Sequence, residues 1–152
     1  MRILLITIIL ACSTFAQDAE KYSCSADQRV LVAKYLKNQA ANDEFAERLR
    51  KPQKGQLPFC WHTCAVSLVK PYFPAVAKTL KIQGAVRMYT IANEEGLVIY
   101  AKPISGPTVF RQAARSAACK ARFKPIRYDD RPITFPWTIL YNFSNITDAQ
   151  IL

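Results

Sequence analysis

The sequence predicts an α+β fold: a small antiparallel β-sheet packed against two helices, preceded by an α-helical N-terminal extension. Three observations predict it. Phe135, Trp137, Ile139, Tyr141 and Phe143 alternate with Pro136, Thr138, Leu140 and Asn142, the period of two that belongs to a strand. Two β-rich runs between Gly84 and Ile104 flank the polar loop Asn93-Glu94-Glu95-Gly96, which reads as a hairpin. Phe110, Ala113, Ala114, Ala117, Ala118 and Ala121 recur at helical spacing and make a narrow, small-residue face able to sit close on a sheet.

The chain has 152 residues, 51% apolar and 21% charged. That usage excludes a disordered chain, and the length suffices for a core without staples. Met1-Arg2 opens a short basic region, Ile3 to Ala11 is apolar but for Thr7, and Thr14-Phe15-Ala16 places small residues around a cut after Ala16. This is the layout of a secretory signal. The run is shorter than the roughly 20 residues a membrane span needs. A short uncleaved anchor, or a lipoprotein site at Cys12, are the alternatives. The plan expected is a signal peptide over 1–16, a helical extension and linker over 17–56, and a C-terminal domain over 57–152.

Lys and Arg number 21 against 11 acids, a net charge of +10. Such a balance suits nucleic acid, an anionic surface or an acidic protein. Export argues against nucleic acid and favours disulfides. Four cysteines remain after the signal, Cys24, Cys60, Cys64 and Cys119. They imply two bridges, and three pairings stay open.

In the extension, Ser25-Ala26-Asp27-Gln28 fits a capping box. Leu31 with Tyr35, and Val32 with Leu36, make an apolar face; Phe45 and Leu49 make a second, with a division expected between Asn38 and Asp43. A basic connector runs from Arg50 to Gln56. Ala65 to Val69 reads as a short strand, Pro74 as the start of a helix over Ala75 to Leu80. Gly84 opens a strand to Ala92, with Val86 and Met88 on one face and Arg87 and Tyr89 on the other. Leu97 to Ile104 returns, with Gly96 supplying the positive φ of the turn. The helix Thr108 to Ala121 follows, then a turn at Asp129-Asp130-Arg131-Pro132 and a last strand from Ile133 to Phe143.

Several landmarks stand in an order that resembles a known family. They are Pro71-Tyr72-Phe73-Pro74-Ala75-Val76-Ala77, Ile82-Gln83-Gly84-Ala85-Val86, Asn93-Glu94-Glu95-Gly96-Leu97-Val98, Phe110-Arg111-Gln112-Ala113-Ala114, Arg122-Phe123-Lys124-Pro125 and Asp130-Arg131-Pro132-Ile133. From about Cys64 to Ser144 the chain resembles the C-terminal domain of TonB, the bacterial energy transducer. The resemblance implies a small antiparallel sheet on two helices that binds the TonB box, a short segment of outer-membrane transport receptors, by strand addition. It implies that the receiving edge is the last strand, with Ile133, Phe135, Trp137, Thr138, Ile139, Leu140, Tyr141, Asn142 and Phe143 at the site. Full transducers also carry a membrane-spanning helix and a Pro-rich rod. This sequence shows neither, so a periplasmic binding module is expected rather than a complete transducer. Pro136 removes one backbone donor from the edge.

The aromatics of that strand, Phe135, Trp137, Tyr141 and Phe143, read first as core. The one cluster suited to other chemistry is Cys60-Trp61-His62-Thr63-Cys64, where Cys60, His62 and Cys64 could ligate copper or zinc or exchange disulfides. Ordinary disulfide pairing, with Cys24 and Cys119 as partners, accounts for these thiols more simply. Arg111, Arg115, Lys120, Arg122, Lys124 and Arg127 form a basic cluster around the second helix. No catalytic order of Ser, His and Asp and no phosphate-binding loop is present. The expectation is therefore a binding protein, with no cofactor and no enzymatic activity. Its partner would be an outer-membrane receptor or another periplasmic protein, and the membrane would be involved only indirectly. The remaining alternatives are a thiol or metal module, and a scaffold whose strand edges pair two copies into a homodimer.

Overall fold

Alternation along two neighbouring strands decides how this chain folds. The computed structural model describes residues 15–50, 64–145 and 148–151. Helix α1 covers 15–22. It is followed by α2 (Arg29–Lys37), α3 (Gln39–Arg50), β1 (Ala65–Ser67), α4 (Ala75–Thr79), β2 (Gly84–Ala92), β3 (Val98–Ser105), α5 (Thr108–Ala118), β4 (Arg122–Phe123), β5 (Ile126–Tyr128), β6 (Arg131–Ile133), β7 (Phe135–Asn145) and β8 (Asp148–Ile151). The main sheet is antiparallel with strand order β3-β2-β7-β8, and β1–β4 and β5–β6 form separate two-stranded pairs. The α+β class is as expected.

The β2–β7 ladder sets Val86 opposite Tyr141, Met88 opposite Ile139 and Ala92 opposite Phe135. All six point to one face and join the larger core with α5. On α5 the residues Phe110, Ala113, Ala114, Ala117 and Ala118 are buried. Four alanines let the helix axis approach the sheet, and Phe110 fills the gap by stacking on Phe143 at 4.2 Å between ring centroids. Phe123 stacks on Trp137 at 4.7 Å. Each such buried ring contributes about 1.5–3 kcal/mol through lost apolar exposure. The aromatics of the last strand are thus core, as read from the alternation.

The opposite face is covered too. Ile91, Ile99 and Tyr100 pack with Ala19, Val32, Tyr35 and Leu36 of α1 and α2, and Phe15 packs against the same group. This explains Val98-Ile99-Tyr100-Ala101, which is buried throughout rather than alternating: a strand covered on both faces reads as a continuous apolar run. The extension is fastened to the sheet at several points. Cys24 and Cys119 form a disulfide with their Cα atoms 5.4 Å apart. The Cys24 N–H donates to the Ile99 carbonyl at 2.8 Å, Arg115 Nη2 donates to the Ser23 carbonyl at 2.9 Å, and Lys102 Nζ pairs with Asp18 at 2.6 Å. Ser23 and Tyr100 form a β-bridge, so this segment lies along the outer edge of β3.

The β2–β3 turn closes as expected. Gly96 has φ +80°, and Asn93 Oδ1 accepts from the N–H groups of Glu95 and Leu97. Four local expectations are corrected. The capping box does not form: Ser25 Oγ donates to Asp27 instead, and α2 begins at Arg29 after a Gln28 cap with no side-chain bond. The break between α2 and α3 is Asn38 alone. Leu31 is 43% exposed, while Val32, Tyr35 and Leu36 carry the buried face. Asp129 and Asp130, both at positive φ, make a tight reversal that pairs Ile126 with Ile133, so Ile133 belongs to the β5–β6 hairpin and not to β7. Most of the signal layout and the connector after Arg50 lie outside the described residues.

Candidate functional site

The two outer strands of the main sheet are β3 and β8, and β7 sits between β2 and β8. Of the residues expected at the receiving edge, Phe135, Trp137, Ile139, Tyr141 and Phe143 are buried among the core. Their side chains anchor β7 in the core. Burial pushes the Tyr141 phenol above its ordinary range, and its hydroxyl has no hydrogen-bond partner among the described residues. On the other face Thr138 is exposed, and Leu140 and Asn142 are partly so.

Strand β8 pairs Tyr141 with Ile151, Asn142 with Gln150 and Asn145 with Asp148, with a register shift between Asn142 and Asn145. Over Thr138–Leu140, β7 pairs with β2 alone among the described residues. The expected edge strand is therefore one whose edge the chain itself occupies from Tyr141 onward. Strand β8 was not expected from the sequence. The signal was present: Asn145 and Asp148 are turn formers set between Phe143 and Ile151.

Helix α3 packs against the β7 end of the sheet. Phe45 meets the Tyr128 ring edge-on at 5.1 Å. The Tyr89 hydroxyl, on the sheet face opposite α5, donates to Asp43 Oδ1 at 2.7 Å. Burial, and then this bond to Asp43, hold the Tyr89 phenol protonated far above its ordinary pKa. Two cavities flank the Tyr89–Asp43 pair. One, of about 390 Å³, is lined by Gln39, Asp43, Tyr89, Tyr100 and Lys102 among others. The second, of about 240 Å³, is lined by Asp43, Glu47, Tyr89, Pro136, Trp137 and Thr138. Sequence reasoning missed this groove, because nothing local links residues 46 positions apart.

The expected disulfide pairing is corrected. Cys24 and Cys119 bond each other, not Cys60 or Cys64. Cys64 is disulfide-bonded as well, so it offers no thiolate to a metal. Cys60 and His62 lie outside the described residues. No group of three or more metal-ligating side chains occurs among the described residues. In the basic cluster, Arg111 and Arg127 are spent on the Gly106 and Asp130 carbonyls. No helix among the described residues is long and apolar enough to cross a membrane.

The family model for the Gram-negative bacterial TonB protein C-terminal matches residues 69–144, half of the chain. The chain belongs to this family. The match runs from just before α4 to the end of β7 and leaves out the N-terminal helices and β8. TonB C-terminal domains are periplasmic and serve TonB-dependent transport through protein interaction and energy transduction; the family is not known as enzymatic. A search among curated proteins finds no match.

Proposed function

We propose that this TonB C-terminal chain is an exported periplasmic module that engages an extended segment of an outer-membrane transport receptor by strand addition to β7. The observation that carries the proposal is the partial, self-made ladder on that strand. Strand β8 is four residues long and meets β7 with a broken register. A receptor segment taking its place exchanges one set of main-chain hydrogen bonds for another, and then gains further bonds along Thr138–Leu140. Each bond contributes about 1 kcal/mol net, and none depends on the partner's side chains. Burial of Ile139, Tyr141 and Phe143 in the core and the unbroken ladder with β2 hold the receiving strand in place, so little order has to be gained on binding. Selectivity falls to the opposite face, where Thr138, Leu140 and Asn142 stand.

Calorimetric titration with a synthetic peptide carrying a TonB box tests this. A chain shortened to end at Asn145 lacks the competing strand. It is expected to bind the peptide about 5–30-fold more tightly than the full chain, the factor that one or two kcal/mol represents. A scrambled peptide is expected to bind neither. Equal affinities for the two chains, or equal binding of the scrambled peptide, would overturn the proposal.

A further inference from the structure

We infer that the groove between α3 and the sheet is a recognition pocket for a basic side chain, arginine or lysine, of the segment that adds to β7. The source of that side chain rests on the strand-addition reading; the chemistry of the pocket does not. Asp43 lines both lobes of the groove, as does Tyr89. Its carboxylate is partly buried and accepts from two neutral donors, the Tyr89 hydroxyl at 2.7 Å and Gln39 Nε2 at 3.4 Å. No cation pairs with it among the described residues. Three other acids pair with cations: Asp18 with Lys102, Glu20 with Arg29 and Glu44 with Arg48. Lys102 lines the same groove, but Asp18 holds its ammonium.

A carboxylate offers about four acceptor sites, and two are used here. Half-buried and hydrogen-bonded by neutral donors alone, it has no cationic partner among the described residues. A guanidinium or ammonium supplies one, with a stronger, charge-assisted bond. Burial keeps Tyr89 protonated, so it remains a donor on Oδ1 while Gln39 meets Oδ2, and each oxygen keeps a second acceptor site for the guest.

Position supports the assignment. The smaller lobe is walled on one side by Asp43 and Glu47 of α3 and on the other by β7 as far as Thr138. A strand added along Thr138–Leu140 sets every second side chain on the α3 face. Cβ atoms directly opposite each other lie about 4.5–5.5 Å apart, so a long basic side chain near Thr138 reaches the lobe. The two neutral donors already on Asp43 fix its orientation before the guest arrives, which lowers the ordering cost of binding.

The test uses the full chain, ¹⁵N-labelled, titrated with Nα-acetyl-arginine methylamide and, separately, with the citrulline analogue, which keeps the shape and removes the charge. Saturable amide shifts at Asp43, Tyr89 and Thr138 are expected for the arginine probe. At least a fivefold weaker response is expected for citrulline, and a similar loss in Asp43→Asn. Equal responses to the two probes in the unmodified chain overturn the pocket without reference to any variant. A second arm compares TonB-box peptides bearing arginine or citrulline opposite Thr138. If the arginine probe binds and neither peptide adds to β7, the pocket stands and the strand-addition reading falls. If both peptides add equally well, the pocket falls and strand addition stands.

Discussion

Cys24 and Cys119, 95 residues apart in the chain, are bonded with their Cα atoms 5.4 Å apart, and the bond joins the segment after α1 to the end of α5. It fastens the N-terminal helices to the TonB C-terminal fold at the place where Ser23 bridges Tyr100 and Arg115 reaches the Ser23 carbonyl. In the chain-entropy view, closing so long a loop restricts the unfolded ensemble strongly. Replacing both cysteines by serine is expected to cost about 2–4 kcal/mol, read as a shift of the urea midpoint without a change of fold by circular dichroism. An unchanged midpoint would show that the packing of Val32, Leu36 and Ile99 holds the extension unaided.

The β2–β3 turn gives a second prediction. Gly96 sits at φ +80°, and a Cβ there would lie 2.0 Å from the Phe123 carbonyl oxygen. The Gly96 carbonyl also accepts from the Phe123 N–H at 2.9 Å. Gly96→Ala therefore combines an unfavourable backbone conformation with a backbone clash, and the bond between the turn and β4 is lost. A loss of about 2–4 kcal/mol is expected, measured by thermal unfolding.

Three tyrosines predict an alkaline limit. Burial, with Asp43 bonding Tyr89 and Asp18 near Tyr100, raises the pKa of Tyr89, Tyr100 and Tyr141 well above the ordinary value of 10.0. Folded, they keep their protons; unfolded, they release them near pH 10. The native state then binds more protons than the unfolded one. Stability is fully present below pH 10 and falls above it, by up to about 1.4 kcal/mol per pH unit for each tyrosine. Phenolate absorbance on a pH titration is expected to rise in two stages, the second coincident with loss of secondary structure. A single stage near pH 10 with the fold intact contradicts the assignment of these three as buried.

Much of this fold was legible because its signals are local. Gly84 and Asn93 punctuate β2 at the limits observed, the alanines of α5 mark its buried face, and the alternation from Phe135 to Phe143 marks the core side of β7. The failures are of another kind. The Ser25 hydroxyl donates to the Asp27 carboxylate rather than accepting from the Gln28 N–H as a capping box requires, so the capping signal described a helix start that the backbone did not adopt. The Asp129-Asp130 reversal was read as a turn, but its tightness was not, and that tightness removes Ile133 from the sheet. The β8 ladder, the Tyr89–Asp43 bond and the Cys24–Cys119 pairing are long-range choices. Periodicity carries no information about which partner a strand, a phenol or a thiol will find.

The measurement that bears most directly on strand addition is amide hydrogen exchange by NMR, on the full chain with and without a saturating TonB-box peptide. Added peptide is predicted to protect amides between Thr138 and Asn145 while those of Asp148 to Ile151 exchange faster, because β8 has been released from the ladder. Binding that leaves both segments unchanged, with protection appearing elsewhere on the surface, would contradict the account.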